Sequence, residues 1–330
     1  MRVAHPGGDH DHGTPAERAQ KEASRCLTPR KPRTSLLTAF QAESTARHLQ
    51  ARKCAPAIAA FETQRMLKRN RLSKRMMPPA GHGPHKPHYE TIQNTTCVTA
   101  PEVIEGPYYI NNEYVRTDLT ETQRGVKIVL DIGVMDTTTC KPLPNAFVEI
   151  WAANATGQYG GFSTGDNANV HTETFLRGGY YTNAQGIVEL VTLYPGFYDG
   201  RTAHIHTMIH KDWKKNANGT LVSHAGSVVH IGQFFFEESW NDKVYETLPY
   251  TSNKQGRTLN TEDIFISNST IGYKAFIDLQ MLGHDIREGV LGYISEYRYL
   301  LRHVIYLTIL PLAVGVDSTK SYSIWNENFL

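Results

Sequence analysis

The sequence predicts a mainly β protein, a β-sandwich of mixed and antiparallel sheets preceded by an N-terminal helical arm. Three observations predict it. Residues 126–134 alternate apolar and polar side chains, the period-two pattern of a half-buried strand. Short apolar runs recur at about 146–152, 178–182, 187–193, 203–209 and 228–236, with Gly, Asn and Pro between them. The stretch from Ser35 to Met76, by contrast, contains no glycine, places Pro56 where a first helical turn accepts it, and sets Ile58 and Phe61 on one helical face.

Taken in order, residues 1–33 are a polar tail rich in His, Pro and Gly, a composition that does not build a core. Residues 34–76 form the basic helical arm. Residues 77–96 read as a Pro/Gly/His linker, because Pro78, Pro79, Pro84 and Pro87 exclude a helix. The body spans 97–295. Within it, Glu105-Gly-Pro-Tyr108-Tyr109 is a turn that presents aromatics, and a short helix is expected at 239–246, started by Glu238-Ser-Trp-Asn. Residues 296–330 form a divergent tail. Its apolar run 304–316, broken by Pro311, is too short to span a membrane. It is either an extra buried strand or an incorrectly predicted exon, and the lack of capping or charge framing favours the second.

Charge is divided unevenly. Residues 1–77 hold 16 Lys and Arg against 6 Asp and Glu, and the remaining residues 18 against 26. A basic arm without interleaved aromatics or a nucleic-acid motif reads as a solvated arm, so no nucleic-acid partner is expected. Cys26, Cys54, Cys97 and Cys140 include no Cys-x-x-Cys, which argues against a zinc ribbon or dithiol site. Cys97 flanks the first strand together with Cys140, and the expected pairing is Cys97 with Cys140. The even count and the sequons at Asn94, Asn154, Asn218 and Asn268 suit a secreted, disulfide-bonded glycoprotein. The N-terminus shows no apolar leader, so either a leader is missing from this sequence or the protein is cytoplasmic.

Two stretches carry the chemistry. In Tyr194-Pro-Gly-Phe-Tyr198-Asp-Gly-Arg201-Thr-Ala-His204-Ile-His206, a turn feeds a strand with histidines at i and i+2, hence on one face. Such a pair by itself is more often an ordinary polar face than half a metal site. In Val148-Glu-Ile-Trp151-Ala-Ala-Asn154-Ala-Thr-Gly157-Gln-Tyr159, a strand runs into a glycine-bearing loop that again presents a tyrosine. Two phenolates are hard anionic donors suited to a highly charged ion, and two neutral imidazoles would complete such a set, whereas zinc sites use Cys, His and carboxylates.

Together these motifs, over about residues 97–295, resemble the intradiol ring-cleavage dioxygenases, closest to their secreted fungal relatives. The resemblance implies Fe(3+) held by Tyr159, Tyr198, His204 and His206, with Tyr198 the ligand that leaves when substrate binds and Tyr159 the one that stays. It also implies catalytic roles for Arg201, which stabilises charge developing on the ring, and for Gln233, in His230-Ile-Gly-Gln233, which orients substrate or oxygen. The partners it implies are a small aromatic diol and O2, in aromatic compound catabolism, with a homodimer formed through the helical arm. No second basic residue accompanies Arg201 in the two stretches, which favours catechol or hydroxyquinol over protocatechuate. Thr202 stands where Pro is common in the family. The rival readings are a non-catalytic β-sandwich module binding aromatics or cell-wall polymers, and a metal hydrolase, which would need a carboxylate ligand that the sequence does not offer.

Overall fold

Strand alternation separates two faces and so creates the core. In a computed structural model, the structure describes Cys54 and residues 105–162, 172–268, 276–293 and 312–330. The described residues form ten strands: β1 (Lys127–Asp136), β2 (Lys141–Pro142), β3 (Phe147–Trp151), β4 (Arg177–Tyr181), β5 (Ile187–Leu193), β6 (His204–Lys211), β7 (Ser227–Phe236), β8 (Phe276–Met281), β9 (Val290–Tyr293) and β10 (Leu312–Val316). They are accompanied by the α-helices α1 (Glu238–Tyr245) and α2 (Ile264–Asn268) and by two short 3-10 helices, Tyr250–Ser252 and Ile286–Glu288.

The hydrogen-bonded path runs β10-β1-β9-β8-β7-β6-β3-β4, with β2 and β5 on the other edge of β1. The sheet is mixed: β1 pairs in parallel with β9 and β10, and β7 with β8, while the remaining pairs are antiparallel. Ile128, Leu130, Ile132 and Val134 of β1 share one buried cluster with Val148 and Ile150 of β3 and Ile205 and Ile209 of β6. Strands far apart on the path thus face each other across a common core, which makes the arrangement a sandwich. Each such fully buried aliphatic side chain contributes on the order of 1.5–3 kcal/mol.

The other face of β3, β6 and β7 carries a second, aromatic cluster that includes Trp151, Tyr159, Tyr198 and Met208. His204, His206, Met208 and His210 lie on that face of β6, opposite in sense to Ile205 and Ile209. The site is therefore built on the back of the sheet whose front makes the core.

Four sequence expectations change. The disulfide joins Cys54 to Cys140, with Cα atoms 4.9 Å apart, and not Cys97 to Cys140. Cys140 lies in the turn after β1 at φ 55°, and Cys54 is buried against Thr137 O in that same turn. Proximity in sequence does not decide a pairing; facing Cβ atoms do. Cross-linking residues 86 apart stabilises by about 4–5 kcal/mol in the chain-entropy model.

Helix α1 occupies nearly the expected span, but its N-cap is Glu237, which makes no side-chain cap. Glu238 instead accepts from Asn260 N and from Arg257 Nη2, so its carboxylate ties the helix start to the 257–260 segment. Of the two readings of 304–316, the strand holds for Leu312–Val316, which pairs with the last five residues of β1. The chain beyond it returns to the body: Tyr322 bridges Val228, Trp325 N donates to Glu105, and Asn111 Nδ2 donates to Asn326 O and Asn328 O. Strand β4 begins at Arg177, one residue earlier than expected, and that arginine is buried. The N-terminal polar tail, the linker and the helical arm with its expected dimer contact lie outside the described residues, Cys54 excepted. Among the described residues no helix is long and apolar enough to cross a membrane.

Candidate metal centre

Register places the site residues in a row across the sheet. Trp151 of β3 lies opposite Arg177 of β4 on one side and His206 of β6 on the other, and His206 lies opposite Gln233 of β7. Cross-strand neighbours on one face are close enough to touch, and Trp151 stacks on the His206 ring at 4.9 Å and 7°.

Two loops bring in the tyrosines. After β3, Asn154 Oδ1 accepts from Thr156 N and Gln158 N, and Gly157 takes φ 78°. A Cβ at Gly157 would run into Phe197 O and the Gln255 side chain, so only glycine fits there. Asn154 Nδ2 donates to Gln123, so this sequon asparagine is engaged in the loop. Before β6, a turn closes between Tyr198 and Arg201, with Arg201 N donating to Tyr198 O at 2.9 Å and Gly200 at φ 82°. Gly196 N donates to Asn154 O, which joins the two loops.

The four sequence-predicted ligands converge. His204 Nε2 lies 3.2 Å from Tyr159 Oη, 3.3 Å from Tyr198 Oη and 3.2 Å from His206 Nε2. His204 Nδ1 is 2.7 Å from Thr202 O, a carbonyl that can only accept, so Nδ1 carries the proton and Nε2 is a bare lone pair. One lone pair does not serve three hydrogen-bond neighbours. Burial, aided by the charge of Arg201, pushes the His204 pKa well below its ordinary value. His206 is pushed down by burial, then by His204, Arg201 and Arg177. Both imidazoles are thus neutral, and His206 Nδ1 is buried with no hydrogen-bond partner. Two phenol oxygens and two neutral imidazole nitrogens around one point, in dry surroundings, fit a cation with hard-ligand preference. Among the described residues no group of three or more His, Cys, Asp or Glu is placed to hold a metal, so the tyrosines are needed to complete this set.

Arg201 and Gln233, expected to act beside the ligands, lie next to them. Arg201 is fully buried; its Nε donates to Asp263 Oδ2 at 2.9 Å, its Nη2 donates to Gln233 Oε1, and its Cζ sits 4.2 Å over the Phe265 ring.

Sequence reasoning missed Arg177 and Asp263. Arg177 Nε donates to Gly160 O and its Nη1 to Tyr108 O, with the guanidinium over the rings of Tyr159 and Phe162. Its only sequence signal is a charge at the head of a glycine-rich strand. Asp263 had a misleading signal: its Oδ1 accepts from Phe265 N at 2.9 Å, which reads as a helix cap. Tyr108, in the turn flagged from sequence, stacks on Tyr159 at 4.6 Å and 15° and meets Tyr198 edge-on at 6.0 Å.

The fold is a β-sandwich, and the donor set on its back face is two tyrosines and two histidines gathered at one point. The Dioxygenase_C family model, described as a dioxygenase, matches residues 101–263. An intradiol ring-cleavage dioxygenase from Tetranychus urticae is 29% identical with a TM-score of 0.53, over 68% of this chain and 98% of that one. The chain is thus similar to intradiol ring-cleavage dioxygenases. It is also similar to the catechol 1,2-dioxygenase of Acinetobacter baylyi, 31% identical over 165 residues, 44% of this chain and 51% of the relative. Catechol 1,2-dioxygenase 1 of Acinetobacter lwoffii is 25% identical over 185 residues, 48% and 55% of the two chains. The chain thus spans about half the length of the curated relatives it matches.

Proposed function

We propose that the protein is a ferric-iron intradiol dioxygenase acting on a catechol-type diol. The bond between the two hydroxylated ring carbons breaks, each carbon gains one oxygen atom from O2, and a muconic acid results. The observation that carries this reading is the convergence of Tyr159, Tyr198 and His206 on the bare His204 Nε2. When bound there, ferric iron supplies a Lewis-acid centre for both diol oxygens and an acceptor for ring electron density.

The chain's own residues do the rest. Neutral His204 and His206 offer lone pairs without a proton to displace. Tyr159 is fixed between Tyr108 and the Arg177 guanidinium, and serves as the permanent ligand. Tyr198 sits at a turn and has only edge-on contact with Tyr108. Tyr198 would be the ligand that gives way to the diol, and its Oη would then hold a proton from it. Arg201, charged at any working pH, stabilises negative charge on the ring, and Gln233, which accepts from it, orients the bound substrate. Tyr108, Phe162 and Trp151 exclude water, so these charges act in a medium of low dielectric.

Both buried guanidiniums are engaged by the protein itself, Arg201 by Asp263 and Arg177 by main-chain oxygens. That supports catechol or hydroxyquinol over protocatechuate as substrate. The Cys54–Cys140 bond supports an oxidising compartment and hence secretion.

Metal analysis, a visible spectrum and catechol-dependent oxygen uptake on one preparation test the reading. Stoichiometric iron, a burgundy charge-transfer band and muconic acid are expected. Colourless protein holding zinc, or no oxygen uptake with iron bound, would leave the non-catalytic binding module instead.

A further inference from the structure

We infer that Asp263 is a positioning residue that sets the orientation of Arg201 toward the ring-binding site; the inference rests on the catalytic reading above. Three donors from three different residues meet on this one carboxylate. Oδ2 accepts from Arg201 Nε at 2.9 Å and from Thr202 N at 3.0 Å, and Oδ1 accepts from Phe265 N at 2.9 Å. Both partners of the ion pair are fully buried. Because both oxygens are used, the carboxylate plane is fixed before it meets the arginine.

The arginine is then constrained on three sides. Asp263 takes the Nε edge, Gln233 takes Nη2, and Phe265 covers one face at 4.2 Å. A guanidinium is planar, so an edge, a corner and a face leave it no rotation. The constraint also reaches the metal ligands. Thr202, whose N–H binds Asp263, has its C=O on His204 Nδ1, and its Oγ1 donates to Asn260 Oδ1 at 2.8 Å. Asn260 Nδ2 in turn donates to Phe236 O at the end of β7. One carboxylate from the segment before α2 therefore anchors the strand entry that carries both Arg201 and His204.

The site requires an acceptor-only group. An asparagine would present one oxygen and one NH2, and whichever way it turned, at least one of the three N–H groups would face another donor. Asp263→Asn is thus a sharp substitution although it is nearly isosteric.

The test is a double-mutant cycle of Asp263→Asn with Arg201→Ala, read by kcat, KM and the Arg201 Nε–H signal in nitrogen-15 spectra of iron-free protein. We expect kcat to fall roughly 10–100-fold in Asp263→Asn with KM near that of the unmodified protein, as for outer partners of catalytic groups. In the Arg201→Ala background the same change should slow turnover no further, since a residue acting only through another shows full coupling. The Nε–H proton, slow to exchange in the unmodified protein, should exchange at least about tenfold faster once its buried acceptor is lost. Multiplicative kcat losses, or an unchanged Nε–H signal, would overturn the inference. If Asp263→Asn does not fold, Asp263→Glu in the same cycle decides it: the acceptor-only group is kept but displaced, so a several-fold fall in kcat is expected, absent when Arg201 is already alanine, and an unchanged kcat would overturn the inference. If the unmodified protein has no turnover at all, the catalytic reading fails, and the exchange measurement still decides whether Asp263 holds Arg201.

Discussion

Two buried arginines flank the ligand set, and they are held in different ways. Arg201 has a carboxylate at 2.9 Å that is itself fixed by two main-chain N–H groups. Arg177 has Glu113 at 3.7 Å, and burial pushes the Glu113 pKa up to about 8. Its firm partners are the neutral oxygens of Gly160 and Tyr108. The charge of Arg201 is locally compensated and its geometry is rigid. The charge of Arg177 is poorly compensated and rests over Tyr159 at 5.7 Å. The difference teaches that a guanidinium can be placed for geometry or for charge. In the proposed reaction Arg201 would serve the substrate, and Arg177 would stabilise Tyr159 as an anionic ligand; the Arg177 bond to Gly160 O already braces the loop that bears Tyr159.

The largest expected effect breaks the Arg201 side. Arg201→Ala should lower kcat about 10²–10³-fold, or roughly 3–4 kcal/mol of barrier, while iron content and colour persist. A fully metallated, stable variant with near-normal kcat would remove Arg201 from the reaction. Breaking the Arg177 side should look different. Arg177→Met should weaken iron binding by roughly 10–100-fold, read by competition with a chelator, with kcat per bound iron changing less. If both variants lose iron equally, the proposed division of labour is wrong.

The tyrosines sharpen the same contrast. Tyr159→Phe should cost more iron than Tyr198→Phe, because only Tyr159 lies under Arg177 and flat against Tyr108. Tyr198→Phe should keep iron, shift the charge-transfer band and slow substrate deprotonation; matched iron loss in the two variants would count against it.

The smallest effect is in pH. The folded-state pKa of Glu113 is raised from 4.5 to about 8, chiefly by burial, so the folded protein binds that proton more tightly than the unfolded chain. Its contribution to stability is fully present below about 4.5 and is lost as pH rises through about 8. The melting temperature of iron-free protein should fall over that window, and Glu113→Gln should flatten the fall. An identical slope in the variant would mean that Glu113 does not titrate there.

Much of the site was legible because it is local. His204 and His206 share a face for no reason beyond strand periodicity, and the glycines at 157 and 200 mark the turns that present Tyr159 and Tyr198. Arg201 and Gln233 were legible through family resemblance. Asp263 was not: one of its oxygens makes the local cap bond that any helix-starting aspartate makes, and only the other reaches 62 residues back to Arg201. Arg177 gave only a charge in a strand, and nothing in sequence says which loop a buried charge will meet. Thr202, a departure from the family's usual Pro, gains a reason from the structure, since its N–H donates to Asp263 and a proline has none to give.

Periodicity and turn chemistry in the sequence determined six of the ten described strands, the sandwich class and the pairing of two histidines on one face, because these depend on residues a few positions apart; β2, β8 and β9 left no such pattern. The tertiary structure alone decided the Cys54–Cys140 bond, the strand Leu312–Val316 alongside β1, and the different holds on Arg177 and Arg201. Each joins residues tens to nearly two hundred positions apart. Such contacts are set by which surfaces the folded core brings face to face, and no local pattern records that.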